Sequence, residues 1–69
     1  MITLNENTVK VLGVPTTGPT RDSRRRFTFK YTEDGVEKRG RLFVQVKSGD
    51  TPEDIKAKAI EVANNELGI

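Results

Sequence analysis

The sequence has no cysteine and no histidine. Without cysteine there is no disulfide framework and no thiolate chemistry. Without histidine a Zn-type site is not expected, and no catalytic triad of the serine–histidine kind can be assembled. Tryptophan is absent, and aromatic residues amount to three Phe and one Tyr. No apolar run approaches the length of a membrane-spanning helix. The N-terminal residues MITLNENTVK lack a basic segment followed by an apolar one, so a secretory signal is not expected. The expected compartment is the cytosol, of a bacterium or of a cell infected by a virus.

Catalysis is not expected either. The hydroxyl nucleophiles are Ser23, Ser48 and several threonines, with no histidine to activate them. The paired acids Glu33/Asp34 and Glu53/Asp54 fall at a turn and at a helix start, where structure already accounts for them. There is no P-loop and no GxGxxG. No cofactor and no metal ligand set is implied.

What is present is short and patterned. Sixty-nine residues make one small domain, which buries only about 60% of its unfolded surface. The hydrophobic share is 33% and mean hydropathy is −0.58. The apolar residues are nevertheless gathered into periodic runs, which argues for a compact fold and against disorder.

Residues 24–47 organise the chain: RRRFTFKYTEDGVEKRGRLFVQVK. Two alternating runs meet at Asp34-Gly35, the dipeptide of a type I′ hairpin turn, whose two central residues need φ > 0. A two-residue loop there sets the register: Tyr31 faces Lys38, Phe29 faces Gly40, Phe27 faces Leu42 and Arg25 faces Val44. Side chains alternate with period two. One face then holds Phe27, Phe29, Tyr31, Leu42, Val44 and Val46. The other holds Arg24, Arg26, Thr28, Lys30, Arg39, Arg41, Phe43 and Gln45. A slip of one residue would send Leu42 and Val44 away from Phe27 and Phe29. Gly40 leaves room for the Phe29 ring to lie across the neighbouring strand.

Upstream, Ile2 and Leu4 alternate as in a short strand, and Asn5, Glu6 and Asn7 read as a turn. Residues 8–14 are the first clear strand, with Val9 and Val11 on one side and Thr8, Lys10 and Leu12 on the other. Gly13 marks a bulge or the strand end. Residues 15–23 form a loop, because Pro15 and Pro19 exclude a helix or a central strand; a loop of that length suits mobility and contacts. Downstream, Thr51, Pro52 and Asp54 make a capping-box-like helix start. Ile55, Ala59, Val62, Ala63 and Leu67, with Ile60 beside them, follow helical spacing. Asp54 and Lys58 stand at i,i+4, and Gly68 fits the helix end. The expected fold is α+β: a three-stranded antiparallel sheet in β-β-β-α order, with the C-terminal helix on one face and the other face open.

Net charge is only +2, with pI about 9.2. Its distribution says more. Between residues 21 and 47 there are nine Lys/Arg and four acids, a balance of +5, and elsewhere three bases and six acids, a balance of −3. A basic hairpin thus stands against an acidic helix. On the open face Lys30 and Arg39 lie directly opposite each other, which costs about a few tenths of a kcal/mol. Five cations around one aromatic suit a nucleic acid, with phosphates for the cations and a base or sugar for the ring. The candidate contact residues are Arg24, Arg26, Lys30, Arg39, Arg41 and Phe43, with Arg21 at the base of the preceding loop. The plainer reading is a solvated face with Phe43 packed under the N-terminal segment or that loop.

The stretch SRRRFTFKYTEDGVEKRGRLF followed by a helix resembles the three-stranded-sheet DNA-binding domains at the N-terminus of tyrosine integrases, and the related AP2-type domains. The resemblance covers about residues 24–65 and lies in pattern: basic and aromatic residues on one strand, a DG-type turn, a basic next strand and a helix. It implies a sheet that enters the major groove, with Arg24, Arg26, Lys30, Arg39 and Arg41 facing DNA. The sequence departs from that family in reaching Ile69 without a catalytic domain.

Two functions follow as expectations. One is a small non-enzymatic module that binds DNA or RNA through the basic face. The other is a protein-interaction factor, such as a phage-type accessory protein, an inhibitor or a virion or assembly component, whose basic face or sheet edge meets an acidic protein. No membrane partner is implied. Unpaired edges also leave room for a homodimer through a sheet edge or the open face.

Overall fold

A computed structural model describes all residues from Met1 to Ile69. Strands β1 (Ile2–Val11), β2 (Ser23–Glu33) and β3 (Val36–Val46) precede one helix, α1 (Pro52–Leu67). The strands form one antiparallel sheet in the order β1-β2-β3, so the α+β fold is the expected one. No helix is long and apolar enough to cross a membrane.

The hairpin has the register that its turn dictates. Glu33 pairs with Val36, Phe29 with Gly40, Phe27 with Leu42 and Arg25 with Val44. Asp34 (φ 51°) and Gly35 (φ 83°) supply the two left-handed residues of the turn. Phe27, Phe29, Val44 and Val46 are buried, while Tyr31 and Leu42 are half-buried at the margin of the core. The rings of Phe27, Phe29 and Tyr31 run along the central strand at centroid separations of 5.7 and 5.9 Å. Phe29 lies over Gly40 so closely that a Cβ at Gly40 would overlap the ring.

The N-terminal strand differs from its expected form. Residues 5–7 are not a turn between two strands; they begin a wide bulge inside β1. Asn5 pairs with Lys30 and Lys10 with Thr28, so the residues between face Phe29 alone. Thr8 repairs the ladder: its hydroxyl accepts the Lys30 amide N–H at 2.7 Å and donates to the Asn5 carbonyl at 2.7 Å. The physical reason lies in parity. Ile2 and Leu4 are even-numbered, Val9 and Val11 odd-numbered. A regular strand would put these pairs on opposite faces. An odd number of extra residues brings Leu4 opposite Tyr31 and Val11 opposite Phe27, both on the core side. The strand ends at Val11 rather than at residue 14, and Gly13 follows at φ 73°.

The loop before β2 is held rather than free. Gly18 closes a turn onto the Pro15 carbonyl at 2.9 Å. Three hydrogen bonds tie the loop to the segment after β3: Gly49 N–H to Pro19 O, Ser48 N–H to Asp22 Oδ1, and Ser48 hydroxyl to Thr20 O. Gly18 is buried against the Asp50 carbonyl, which leaves no room for a side chain there.

Helix α1 begins as its sequence requires. The Thr51 side chain accepts the Asp54 N–H, and the Asp54 carboxylate accepts the Thr51 N–H, a full capping box with Pro52 in the first turn. The Asp54–Lys58 pair does not form. Asp54 is used by the cap, and Lys58 Nζ donates to Asp50 Oδ2 at 2.7 Å instead. Gly68 ends the helix at φ 76°. Ile55, Ala59 and Ala63 are the buried stripe, and the helix packs against β1 and β3. Small residues at 59 and 63 allow close approach over the large rings of the central strand.

Candidate nucleic-acid interface

With the helix on one side, the opposite face of the sheet is left open, and the register arranges it in rows. Asn5, Lys30 and Arg39 form one row across the three strands; Lys10, Thr28 and Arg41 form the next. Arg26 and Phe43 pair in the row beyond, beside Leu12, whose N–H bonds the Arg26 carbonyl at 2.9 Å. Arg24 and Gln45 follow. Rows on one face are about 6.6 Å apart, two residues along a strand. The cationic stretch from Arg24 to Lys30 therefore runs about 20 Å.

The face gathers Arg24, Arg26, Lys30, Arg39 and Arg41 as the alternation predicts, and adds Lys10. Lys10 was legible as the residue on the side opposite Val9 and Val11, but its place in the Thr28–Arg41 row is set by the pairing after the bulge. Glu37, in the Thr32 row, is the one acid among these rows. It approaches Lys30 at 3.8 Å with both side chains well exposed, which softens the Lys30/Arg39 repulsion without screening the other cations.

Phe43 is 45% exposed and does not lie under a covering segment. Residues of the neighbouring strand β2 attend it. The Arg24 guanidinium lies over the ring at 4.2 Å from the centroid, and that of Arg26 at 5.6 Å. Such exposed cation–π contacts contribute about 0.5–1 kcal/mol. They explain how a phenyl ring tolerates a solvated face, and they hold the Arg24 guanidinium in place with N–H groups still available.

Between the long side chains the face sinks. Thr28 is short, and around it Thr8, Lys30, Arg39, Gly40 and Arg41 line a shallow open depression. The Thr28 hydroxyl and the cations share its walls, a donor set that suits an anion.

Arg21 is not part of this face. It belongs to the loop, where it lines a separate hollow with Arg25, Gly13, Val14, Pro15 and Pro19. Arg25 points to the helix side of β2 and packs along Gly13. No group of acids, histidines or cysteines is placed to hold a metal ion. Comparison with protein-family models, with curated proteins and with solved structures finds no match.

Proposed function

We propose that this protein is a non-enzymatic nucleic-acid-binding module and that the open sheet face is its contact surface. The observation that carries the reading is the charge of that face: Lys10, Arg24, Arg26, Lys30, Arg39 and Arg41 against Glu37 alone. The fold does not require this arrangement. Cross-strand like charges at Lys30 and Arg39 cost stability, whereas a row of phosphates would turn the same repulsion into attraction. The acids of α1 support the same orientation. Glu53, Asp54, Glu61 and Glu66 are exposed on the helix, which packs on the other side of the sheet and so stays clear of a polyanion.

The test is a titration of labelled duplex and single-stranded oligonucleotides over a range of salt, beside a mass measurement of the free protein. Binding at ~50 mM salt is expected to weaken steeply as salt rises, with a slope of about −0.7 to −0.9 per phosphate neutralised. Arg41→Glu is expected to weaken binding about tenfold or more and to flatten that slope. Absence of binding to every oligonucleotide at ~50 mM salt counts against the reading.

A second reading draws on the outer edge of β3, whose eleven residues pair with β2 on one side only. Such an edge accepts a strand from an acidic protein partner. Capture of one acidic protein after nuclease treatment, with no oligonucleotide binding, would favour it.

A further inference from the structure

We infer that the open face is built for an unpaired nucleotide, with a base layered on the Arg24–Phe43 stack and its phosphate in the depression around Thr28. The inference rests on the nucleic-acid reading above and makes it specific to single strands. Its first support is Phe43. Phosphate contacts need cations and no aromatic ring, yet among these cations the face places an exposed phenylalanine. Inside a duplex, base faces are covered by their neighbours in the stack. In a single strand they are free, and aromatic side chains and arginine guanidinium planes are the surfaces on which they stack.

The second support is the placement of Arg24 and Arg26. Arg24 already lies on the ring at 4.2 Å, and Arg26 is close to it at 5.6 Å. A base therefore meets a preassembled layer of guanidinium and phenyl. Ordering those side chains has been done in advance, which lowers the cost of binding.

The third support is the neighbouring depression. The Arg26–Phe43 row and the Thr28–Arg41 row are adjacent on the same face, about 6.6 Å apart. A base and the phosphate of its own nucleotide fit that separation. The Thr28 hydroxyl with Lys30, Arg39 and Arg41 provides the donors for the phosphate, the Thr8 hydroxyl being committed to the Asn5 carbonyl. Leu12, 42% exposed beside Arg26, gives the sugar or a second base an apolar border.

The experiment uses the full chain and fluorescence anisotropy with three probes of equal length: oligo(dT), oligo(U) and a blunt DNA duplex, all at ~50 mM salt. Phe43→Leu removes the ring and no charge; Thr28→Val removes the hydroxyl and keeps the shape. Thermal melts confirm that both variants fold. Phe43→Leu is expected to weaken single-strand binding about tenfold or more, with an unchanged salt slope because no cation is lost, and to leave duplex binding within about twofold. Thr28→Val is expected to weaken it about threefold or more. Comparison of oligo(dT) with oligo(U) tells which sugar the site prefers. Equal single-strand affinity in wild type and Phe43→Leu overturns the inference and leaves the nucleic-acid reading intact, as does a duplex that outcompetes both single strands. No binding to any of the probes overturns both.

Discussion

Phe27 and Phe43 sit on neighbouring strands of one hairpin, one beside Leu42 and the other beside Arg26, and their surroundings differ completely. Phe27 is fully buried among Val44, Val46, Ile55 and Ala59 in the core cluster. Phe43 faces outward under two guanidinium groups. The charges divide in the same way. On the helix side Lys38 is paired with Glu33 and Arg25 lies along Gly13. On the open side the cations outnumber the acids and crowd one another. One face is arranged so that folding is favourable; the other keeps unfavourable contacts that only an anion relieves. Stability and binding should therefore respond to different substitutions, and in one case in opposite directions.

The largest expected effect lies in the core. Phe27→Ala should cost about 3–5 kcal/mol, a large share of the total for a chain whose stability is on the order of 0.05–0.15 kcal/mol per residue. The variant is expected to be unfolded or to melt far lower. Phe43→Ala should cost under about 1 kcal/mol, the lost cation–π contacts. Urea denaturation of the two side by side checks the contrast; equal losses would mean that the outer ring is a structural anchor and would erase the difference between the faces.

Gly40→Ala comes next. A methyl group there overlaps the Phe29 ring, and overpacking of this kind costs about 1–3 kcal/mol. In a Phe29→Leu background the same substitution should cost less, since the ring is what it strikes. A double-mutant cycle measures the coupling.

Arg39→Glu sharpens the comparison most directly. It places an acid opposite Lys30, so the folded state should gain about 0.2–1 kcal/mol. Affinity for oligonucleotides should fall, with a shallower dependence on salt. A variant that is both less stable and fully active would contradict the assignment of this residue.

The smallest effect concerns acid sensitivity, and it belongs to neither face. The Asp50 carboxyl is held below the ordinary aspartate range, first by the hydrogen bond from Lys58 and next by that from the Lys47 amide. A carboxyl lowered by folding contributes stability above its unfolded value of about 3.9, and that contribution is lost as pH falls through the lower folded value. Asp50→Asn should therefore lower the melting temperature near about pH 6 and lose this penalty toward about pH 2. A constant difference across that range would remove Asp50 from the acid response.

Much of this was written in local patterns. Asp34-Gly35 set the turn, the turn set the register, and the register sorted Phe27, Phe29 and Val44 from Arg24, Arg26 and Arg41. Thr51, Pro52, Asp54 and Gly68 bounded the helix in the same local way. Each of these depends on the φ/ψ preferences of a few adjacent residues, or on alternation along one strand, so the sequence states them outright.

Only the tertiary structure decided the features that depend on residues far apart in the chain. The bulge in β1 required knowing that Phe29 faces that strand, and it alone brought Leu4 onto the same side as Val11. Lys58 chose Asp50 over Asp54 because the cap had already claimed the nearer carboxylate. The loop before β2 was fixed by partners at residues 48 and 49, and Arg21 was taken from the sheet face to a separate hollow. Above all, Phe43 found its companions through cross-strand geometry. Alternation showed that the ring points outward; the stack with Arg24 formed because pairing in the folded sheet brings side chains from two strands together, and no pattern along one strand encodes that distance.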